Sequence, residues 1–385
     1  MFHKKWEKTL LNTISGKTSA IRSFLKREPV LMFSALAAVI SCFLIPPDAG
    51  YIDYIDFRTL ALLYALMTVV AGLRKAGVFT ALAHILCLRA KNTRAIGIIL
   101  VCLCFFSSML ITNDVALLTF VPFSIIVLGL AGRKQELVRV VVLQTVAANL
   151  GSMLTPVGNP QNLYLYSHYA LSIRDFMFTT LPVWLLSLVL VLVCCLSLSG
   201  SDFSAVLDEK PAIERKALWL YLTLFAVCLL TVLRVLDWPV MLAAVVLTVL
   251  VFDRRSLLEA DFMLLLTFVA FFIFAGNLAR IEAVDSLLRR LLSGREYLIA
   301  LLTSQVISNV PAALLLSGFT DNAKALLLGT NIGGLGTPIA SLASLISLKL
   351  YFRSEGARPG KFLLEFMVVN VAALIILSVF RMLVL

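Results

Sequence analysis

The chain has 385 residues, of which 61% are hydrophobic and 14% charged, with a formal net charge of +11. A soluble domain is nearer half apolar and a quarter charged, so this composition excludes an ordinary soluble protein and points to a polytopic α-helical membrane protein. In such a chain the basic excess reports loops on the cytoplasmic side and not nucleic-acid binding.

Met1 to Glu28 is basic and fairly polar, with no small-residue cleavage pattern before the first span. It is expected to be a cytoplasmic extension, residues 1–28, and not a signal peptide. Six apolar runs can each span or nearly span a bilayer: Val30 to Pro46, Leu60 to Gly72, Phe176 to Leu198, Leu218 to Leu236, Phe262 to Ala279 and Phe362 to Leu385. The loop after the first run holds Asp48, Asp53 and Asp56 and is placed outside. Arg74, Lys75, Arg89, Lys91 and Arg94 return the chain to the cytoplasm. Gly77 to Leu88 is too short to cross and is expected to be an interfacial helix.

Residues 95–131 have basic flanks at both ends, so charge alone fits either two spans or one re-entrant hairpin. A second copy, residues 297–320, decides between them. Its arms, Tyr297 to Ile307 and Val310 to Phe319, each reach only about 15 Å at 1.5 Å per residue. A hairpin with its tip at the bilayer midplane is expected there, and the first copy is expected to match it.

The two copies carry one motif twice. Ser108-Met109-Leu110-Ile111-Thr112-Asn113 returns as Ser304-Gln305-Val306-Ile307-Ser308-Asn309. A second pair follows each: Asn149-Leu-Gly-Ser-Met-Leu-Thr-Pro156 and Asn331-Ile-Gly-Gly-Leu-Gly-Thr-Pro338. A doubled, polar, Gly/Pro-broken element marks a transporter with two structural repeats around one binding site. The expected fold is therefore all-α, with about nine full spans plus two hairpins. Residues 29–200 form the first repeat, with hairpin 95–131 opening inward. Residues 201–237 are a connector with one linking span. Residues 238–385 form the second, inverted repeat, with hairpin 297–320 opening outward. The N-terminus lies inside and the C-terminus outside.

Ser108 and Thr112 are four apart, as are Ser304 and Ser308, which on a helical arm puts two hydroxyls on one face. Asn113 and Asn309 are expected to cap the arms at their tips. Hydroxyl, amide and freed carbonyl oxygens suit a small cation such as Na⁺ or H₃O⁺. The facing wall comes from Asn149, Gly151, Thr155 and Pro156, then Gly158, Asn159, Pro160, Gln161 and Asn162, where Pro lacks a donor and Gly is permissive. Asn331, Gly333, Thr337, Pro338, Ala340 and Ser341 repeat it. A helix broken there presents N–H groups and a positive dipole end, which can hold an anion without a buried base. No Lys or Arg falls at the tips or breaks, which favours coupled transport over an Arg-lined pore. Asp114 is read as the only carboxylate at mid-membrane, a proton carrier or cation ligand, against the plainer role of a tip cap. The second copy has Val310 there.

Plain small-residue packing between helices is the competing account of these motifs, but it does not require Asn at both tips and Thr-Pro at both breaks. His84 and His168 stand alone and are expected to be structural or interfacial, not ligands. Trp184, Trp219 and Trp238 are expected to be interfacial anchors. The seven cysteines show no metal-ligand spacing and are expected to be small buried hydrophobes. No Ser/His pair, no pair of membrane carboxylates and no P-loop is evident, so an intramembrane enzyme or an ATP-driven pump is not expected.

These residues resemble the ion transporter superfamily: divalent-anion/sodium symporters, citrate carriers, arsenite-efflux permeases and a sodium/proton antiporter family. The break Gly158-Asn159-Pro160-Gln161-Asn162 is similar to the Gly-Thr-Pro-Pro-Asn of the sodium/dicarboxylate members, and the chain as a whole is most similar to a bacterial anion-permease subgroup. The resemblance implies one cation site from Ser108, Thr112, Asn113 and the Gly158 carbonyl, and another from Ser304, Ser308, Asn309 and the Ala340 carbonyl. It implies that Asn113, Asn159, Pro160, Asn309 and Ser341 face the solute, with Asp114 added by its position. It also implies an elevator-like motion against a scaffold that is often dimeric. The tips read Thr-Asn-Asp and Ser-Asn-Val where dicarboxylate carriers have Ser-Asn-Thr, which leans toward the arsenite and antiporter branches. The expected function is Na⁺- or H⁺-coupled transport of a small anion across a bacterial inner membrane, with a Na⁺/H⁺ antiporter or arsenite-type efflux permease using Asp114 as the alternative. The expected partners are the anion, the lipid bilayer and a second copy of the chain, with no nucleic acid and no cofactor beyond the coupling ion.

Overall fold

The computed structural model describes residues 28–88, 90–130, 132–201 and 212–384, so the expected extension at 1–28 lies almost wholly outside the described residues, as do parts of the connector. Among the described residues the structure is helical and contains no β-strand.

The first half runs α1 (Pro29–Leu44), α2 (Phe57–Lys75), α3 (Val78–Cys87), α4 (Thr93–Ile111), α5 (Asn113–Leu130), α6 (Lys134–Gly151), α7 (Pro160–His168) and α8 (Ile173–Cys195). A single helix, α9 (Arg215–Val232), follows. The second half runs α10 (Trp238–Asp253), α11 (Phe262–Ala279), α12 (Glu282–Leu292), α13 (Glu296–Ile307), α14 (Asn309–Leu316), α15 (Ala323–Gly333), α16 (Leu342–Phe352) and α17 (Pro359–Val384). The same succession thus occurs twice: two apolar helices, one short helix, a hairpin, a helix broken in two, and a closing helix.

Local chemistry sets these boundaries. Asp56 and Asp261 each accept the backbone N–H three residues on, at 2.9 Å, and so open α2 and α11. Asn92, Asn159, Ser172 and Asn322 open α4, α7, α8 and α15 in the same way. Pro29, Pro160 and Pro239 sit in first turns, where their missing donor costs nothing.

Among the described residues seven helices are long and apolar enough to cross a membrane. They include α4, with 19 residues, and its partner arm α5 has 18. The first hairpin therefore departs from expectation. Its arms are much longer than the 12 and 8 residues of α13 and α14. Its second arm runs through Pro122 to Leu130, whereas the turn at Ser317–Phe319 ends the second arm of the other hairpin after Leu316.

Packing crosses between the halves. α7 lies on α14 of the second hairpin, while α16 lies on α5 of the first. α1 packs along α11, and α2 along α9 and α10. The two broken helices thus enter one core from opposite halves of the chain, and their breaks meet.

Candidate functional site

Both hairpin tips are made by one residue in a left-handed backbone. Thr112 has φ 69° and Ser308 has φ 76°. Each helix stops one residue earlier, at Ile111 and Ile307, and the next begins at Asn113 and Asn309. This corrects the expectation that Ser108 shares a helical face with Thr112, and Ser304 with Ser308. Thr112 and Ser308 have left the helix, and Ser108 and Ser304 instead bond backwards to the carbonyls of Phe105 (2.9 Å) and Ala300 (2.7 Å). Asn113 and Asn309 are first residues of the second arms, not caps on the first. Both are buried.

The breaks require glycine. A Cβ on Gly151 would lie 2.0 Å from the Phe105 carbonyl oxygen, and one on Gly158 would lie 2.0 Å from that of Ser152. In the second copy a Cβ on Gly333 would meet Ser304 at 2.9 Å. Each break is tied to its own hairpin through a threonine: Thr155 Oγ1 donates to the Met109 carbonyl, and Thr337 Oγ1 to that of Gln305 at 3.2 Å. Pro156 and Pro338 follow and open short 3₁₀ turns. Gln305 does more than its counterpart Met109. Its Nε2 donates to the carbonyls of Gly333 (2.7 Å) and Leu335 (2.9 Å), and its Oε1 accepts from Thr337 N–H (3.0 Å). These are backbone groups that the broken helix leaves without partners.

The two breaks are joined reciprocally. Asn149 Oδ1 accepts from Ser341 Oγ (2.9 Å) and from Asn113 Nδ2 (3.1 Å), and its Nδ2 donates to Ser344 Oγ (3.2 Å). Asn331, its counterpart, accepts from Asn159 Nδ2 (3.2 Å) and donates to Asn162 Oδ1 (2.6 Å). One constant offset relates 149 to 331, 159 to 341 and 162 to 344, so each break bonds the other through matching residues. All six side chains are buried. Ser308 Oγ faces the Ala340 carbonyl at 3.4 Å, which brings together two groups of the second expected cation set. In the first set Ser108, Thr112 and Asn113 cluster at one tip, and no hydrogen bond joins them to Gly158 among the described residues.

Two cavities reach this centre. One of about 130 Å³ is lined by Thr112, Asp114, Asn159 and Pro160. The other, of about 350 Å³, is lined by Asp114 and Val310, each just past a hairpin tip. Both are also lined by Asp261, which is exposed and caps α11 at a span end, so each cavity runs from Asp114 to that end of the helices. Glu28 and Lys349 line the larger cavity, and Arg74 and Glu259 the smaller. None of these is among the residues expected at the site. Their only signal was a position at a span end, and nothing local marks which span ends converge.

Two further expectations change. Trp184 is not an interfacial anchor: it is buried, and its Nε1 donates to the Gly151 carbonyl at the break (3.1 Å). His168 is not isolated: its Nδ1 lies 3.4 Å from the Tyr164 hydroxyl, which is 2.7 Å from Ser317 Oγ at the base of the second hairpin. Among the described residues no group of three His, Cys, Asp or Glu is placed to hold a metal ion.

The chain matches a family model described as Citrate transporter (CitMHS) over residues 14–325. It is 31% identical over 349 residues to a protein of Methanocaldococcus jannaschii named Uncharacterized transporter MJ0456, covering 90% of this chain and 95% of that one. It is also 31% identical to the Escherichia coli Inner membrane protein YbiR, over 77% of this chain and 80% of that one. A rice protein named Silicon efflux transporter LSI3 is 32% identical over 154 residues, which is 39% of this chain and 31% of the relative. With these matches, the apolar helices and the doubled break, the chain belongs to the CitMHS citrate transporter family of integral membrane transporters.

Proposed function

We propose that the protein is a secondary transporter that moves a small oxygen-bearing solute, an anion or its protonated acid, coupled to Na⁺ or H⁺. The observation that carries this reading is the reciprocal bonding of the two breaks, Asn149 with Ser341 and Ser344, and Asn331 with Asn159 and Asn162, beside both hairpin tips. It supports one shared site built from both halves of the chain. The N-terminal ends of α7 and α16 begin there and favour electronegative atoms. The oxygens of Ser308, Asn309 and the Ala340 carbonyl, and of Thr112 and Asn113, suit the coupling cation.

In this reading the halves form inverted repeats whose hairpins, α6–α7 and α15–α16 shift together against the remaining helices, in the inner membrane with the N-terminus inside. Reconstitution into liposomes with separately imposed Na⁺ and pH gradients tests it. Uptake or efflux of solute driven by one of the two gradients, and by no other energy source, is the expected result.

A second reading is cation/proton exchange, or arsenite-type efflux, with Asp114 as the exchanging group. It is favoured by the position of Asp114 on the wall of both cavities. Asp114→Asn separates the two: exchange disappears under the second reading, and solute transport survives under the first.

A further inference from the structure

A groove of about 400 Å³ runs between α2, α10 and α11 and shares no lining residue with the cavities at the hairpin tips. Its walls are apolar and aromatic, and include Phe57, Tyr64, Trp238, Leu242, Phe262 and Leu266. The Tyr64 hydroxyl already donates to the Leu257 carbonyl at 3.3 Å. Phe57, Phe262 and Leu266 are exposed. Because α2 and α11 are long and apolar enough to cross the membrane, these side chains face hydrocarbon. Size narrows the occupant. A helix with its side chains is about 10 Å across, so three turns fill on the order of 1,000 Å³. The groove admits one acyl chain and not a helix.

One end of the groove meets a basic turn. The bond from Tyr64 reaches the turn Ser256–Leu258, which packs on α2 and α10. Arg254 and Arg255 lead into that turn. Both are exposed, and neither guanidinium has an ion-pair or hydrogen-bond partner among the described residues. The adjacent carboxylates are matched elsewhere. Asp253 accepts from Tyr221 at 3.0 Å and lies 3.9 Å from Lys75, and Glu259 pairs with Arg74 at 3.1 Å and Lys75 at 3.3 Å. Two uncompensated cations thus stand beside a groove of acyl-chain size. They share the basic end of the molecule with Arg74 and Lys75, the cytoplasmic end by the charge rule. Arginines that serve topology alone need no groove next to them, and bulk lipid in a groove needs no cations. The two together match an anionic headgroup and its chain.

We infer that the groove and the turn form a site for one anionic phospholipid of the cytoplasmic leaflet, with an acyl chain between α2, α10 and α11 and the phosphate on Arg254 and Arg255. The same turn leads into Glu259 and Asp261, so the lipid braces the segment that holds Arg74 and borders both cavities at the tips. The site does not depend on which solute is carried.

The test titrates the full-length protein in neutral detergent with dioleoyl phosphatidylglycerol or dioleoyl phosphatidylcholine. Thermal unfolding reads the stabilisation, and native mass spectrometry counts the bound lipids. Wild type should be stabilised by phosphatidylglycerol at a concentration at least about tenfold lower than by phosphatidylcholine, the size expected for two arginines at the membrane surface. Arg254→Gln with Arg255→Gln should erase this preference. Arg215→Gln with Lys216→Gln, an exposed basic pair at the start of α9, should keep it. Leu242→Trp, which fills the groove, should weaken both lipids and leave their ratio unchanged. Equal loss of preference in the two basic-pair variants would mean attraction by bulk surface charge and overturns the inference. Wild-type lipid binding by the Leu242→Trp variant overturns it as well. So does a photo-crosslinking residue at Leu266 that captures a second copy of the chain in place of lipid.

Discussion

Asn159 donates to Asn331 at 3.2 Å across 172 positions of chain. Asn331 in turn donates to Asn162 at 2.6 Å, three residues further along the same first-half helix. The mirror arrangement, Asn149 with Ser341 and Ser344, uses the corresponding positions of the other half. Each half of the molecule thus completes the break of the other, and neither break is satisfied alone.

Replacing Asn331 by Ala removes partners from Asn159 and Asn162 together. Interhelical hydrogen bonds in membranes average about 0.6 kcal/mol, but a buried group left unpaired costs about 1–3 kcal/mol. Asn331→Ala should destabilise by about 1–3 kcal/mol and abolish transport. In a double-mutant cycle with Asn159→Ala the losses should be less than additive. Thermal unfolding of the purified variants measures this, and strict additivity would mean that the pair is not coupled.

Gly151 and Gly158 should not tolerate even a methyl group, because backbone carbonyls of Phe105 and Ser152 occupy its place. Overpacking of this kind costs about 1–3 kcal/mol when neighbours can shift, and a backbone neighbour shifts least. Gly151→Ala and Gly158→Ala should lose folded yield or transport, while Gly129→Ala, with nothing within 4 Å, should behave as wild type. Size-exclusion profiles of the three variants distinguish these outcomes.

Gln305 holds three backbone groups of the second break, whereas Met109 at the matching position of the first hairpin holds none through its side chain. Gln305→Ala should therefore cost about 1–3 kcal/mol for each orphaned group that water does not reach. Met109→Ala should cost less. Comparable melting temperatures for the two variants would count against the assigned role.

At one end of the molecule, Arg280 bonds Asp48 at 2.8 Å and holds its carboxyl below the usual carboxylate range. A depressed folded pKa contributes stability that is present above the unfolded value, about 3.9, and is lost as pH falls through the folded one. Asp48→Asn should thus lower the melting temperature slightly at pH 7 and not at all near pH 2, with high salt shrinking the difference. A difference that persists unchanged into acid would place the effect elsewhere.

Much of this was legible in the chain itself. Polar residues inside apolar runs are costly in a membrane, so the repeats at Asn113 and Asn309, and at Thr155-Pro156 and Thr337-Pro338, stood out against their surroundings. The caps Asp56 and Asp261 announced their helices by spacing alone. What stayed hidden was non-local. Glu28, Asp261 and Lys349 sit near ordinary span ends; α16 packing on α5 carries Lys349 to Asp114, and α1 packing along α11 sets Glu28 and Asp261 on the same cavity. Trp184 looked like an anchor because its bond to Gly151 depends on α8 packing beside the break. The left-handed turns at Thr112 and Ser308 were hidden because neither is glycine, and helical spacing extrapolated straight through them.

Solute counterflow in liposomes without an imposed ion gradient shows whether both hairpin tips bound one solute site. Liposomes loaded with the unlabelled solute that proves to be transported in the gradient assay would be diluted into a trace of the same solute, isotopically labelled. Wild type should concentrate the label transiently, and Asn113→Ala and Asn309→Ala should each abolish this while the protein remains folded. Counterflow that survives either substitution undiminished would contradict a site shared between the two tips.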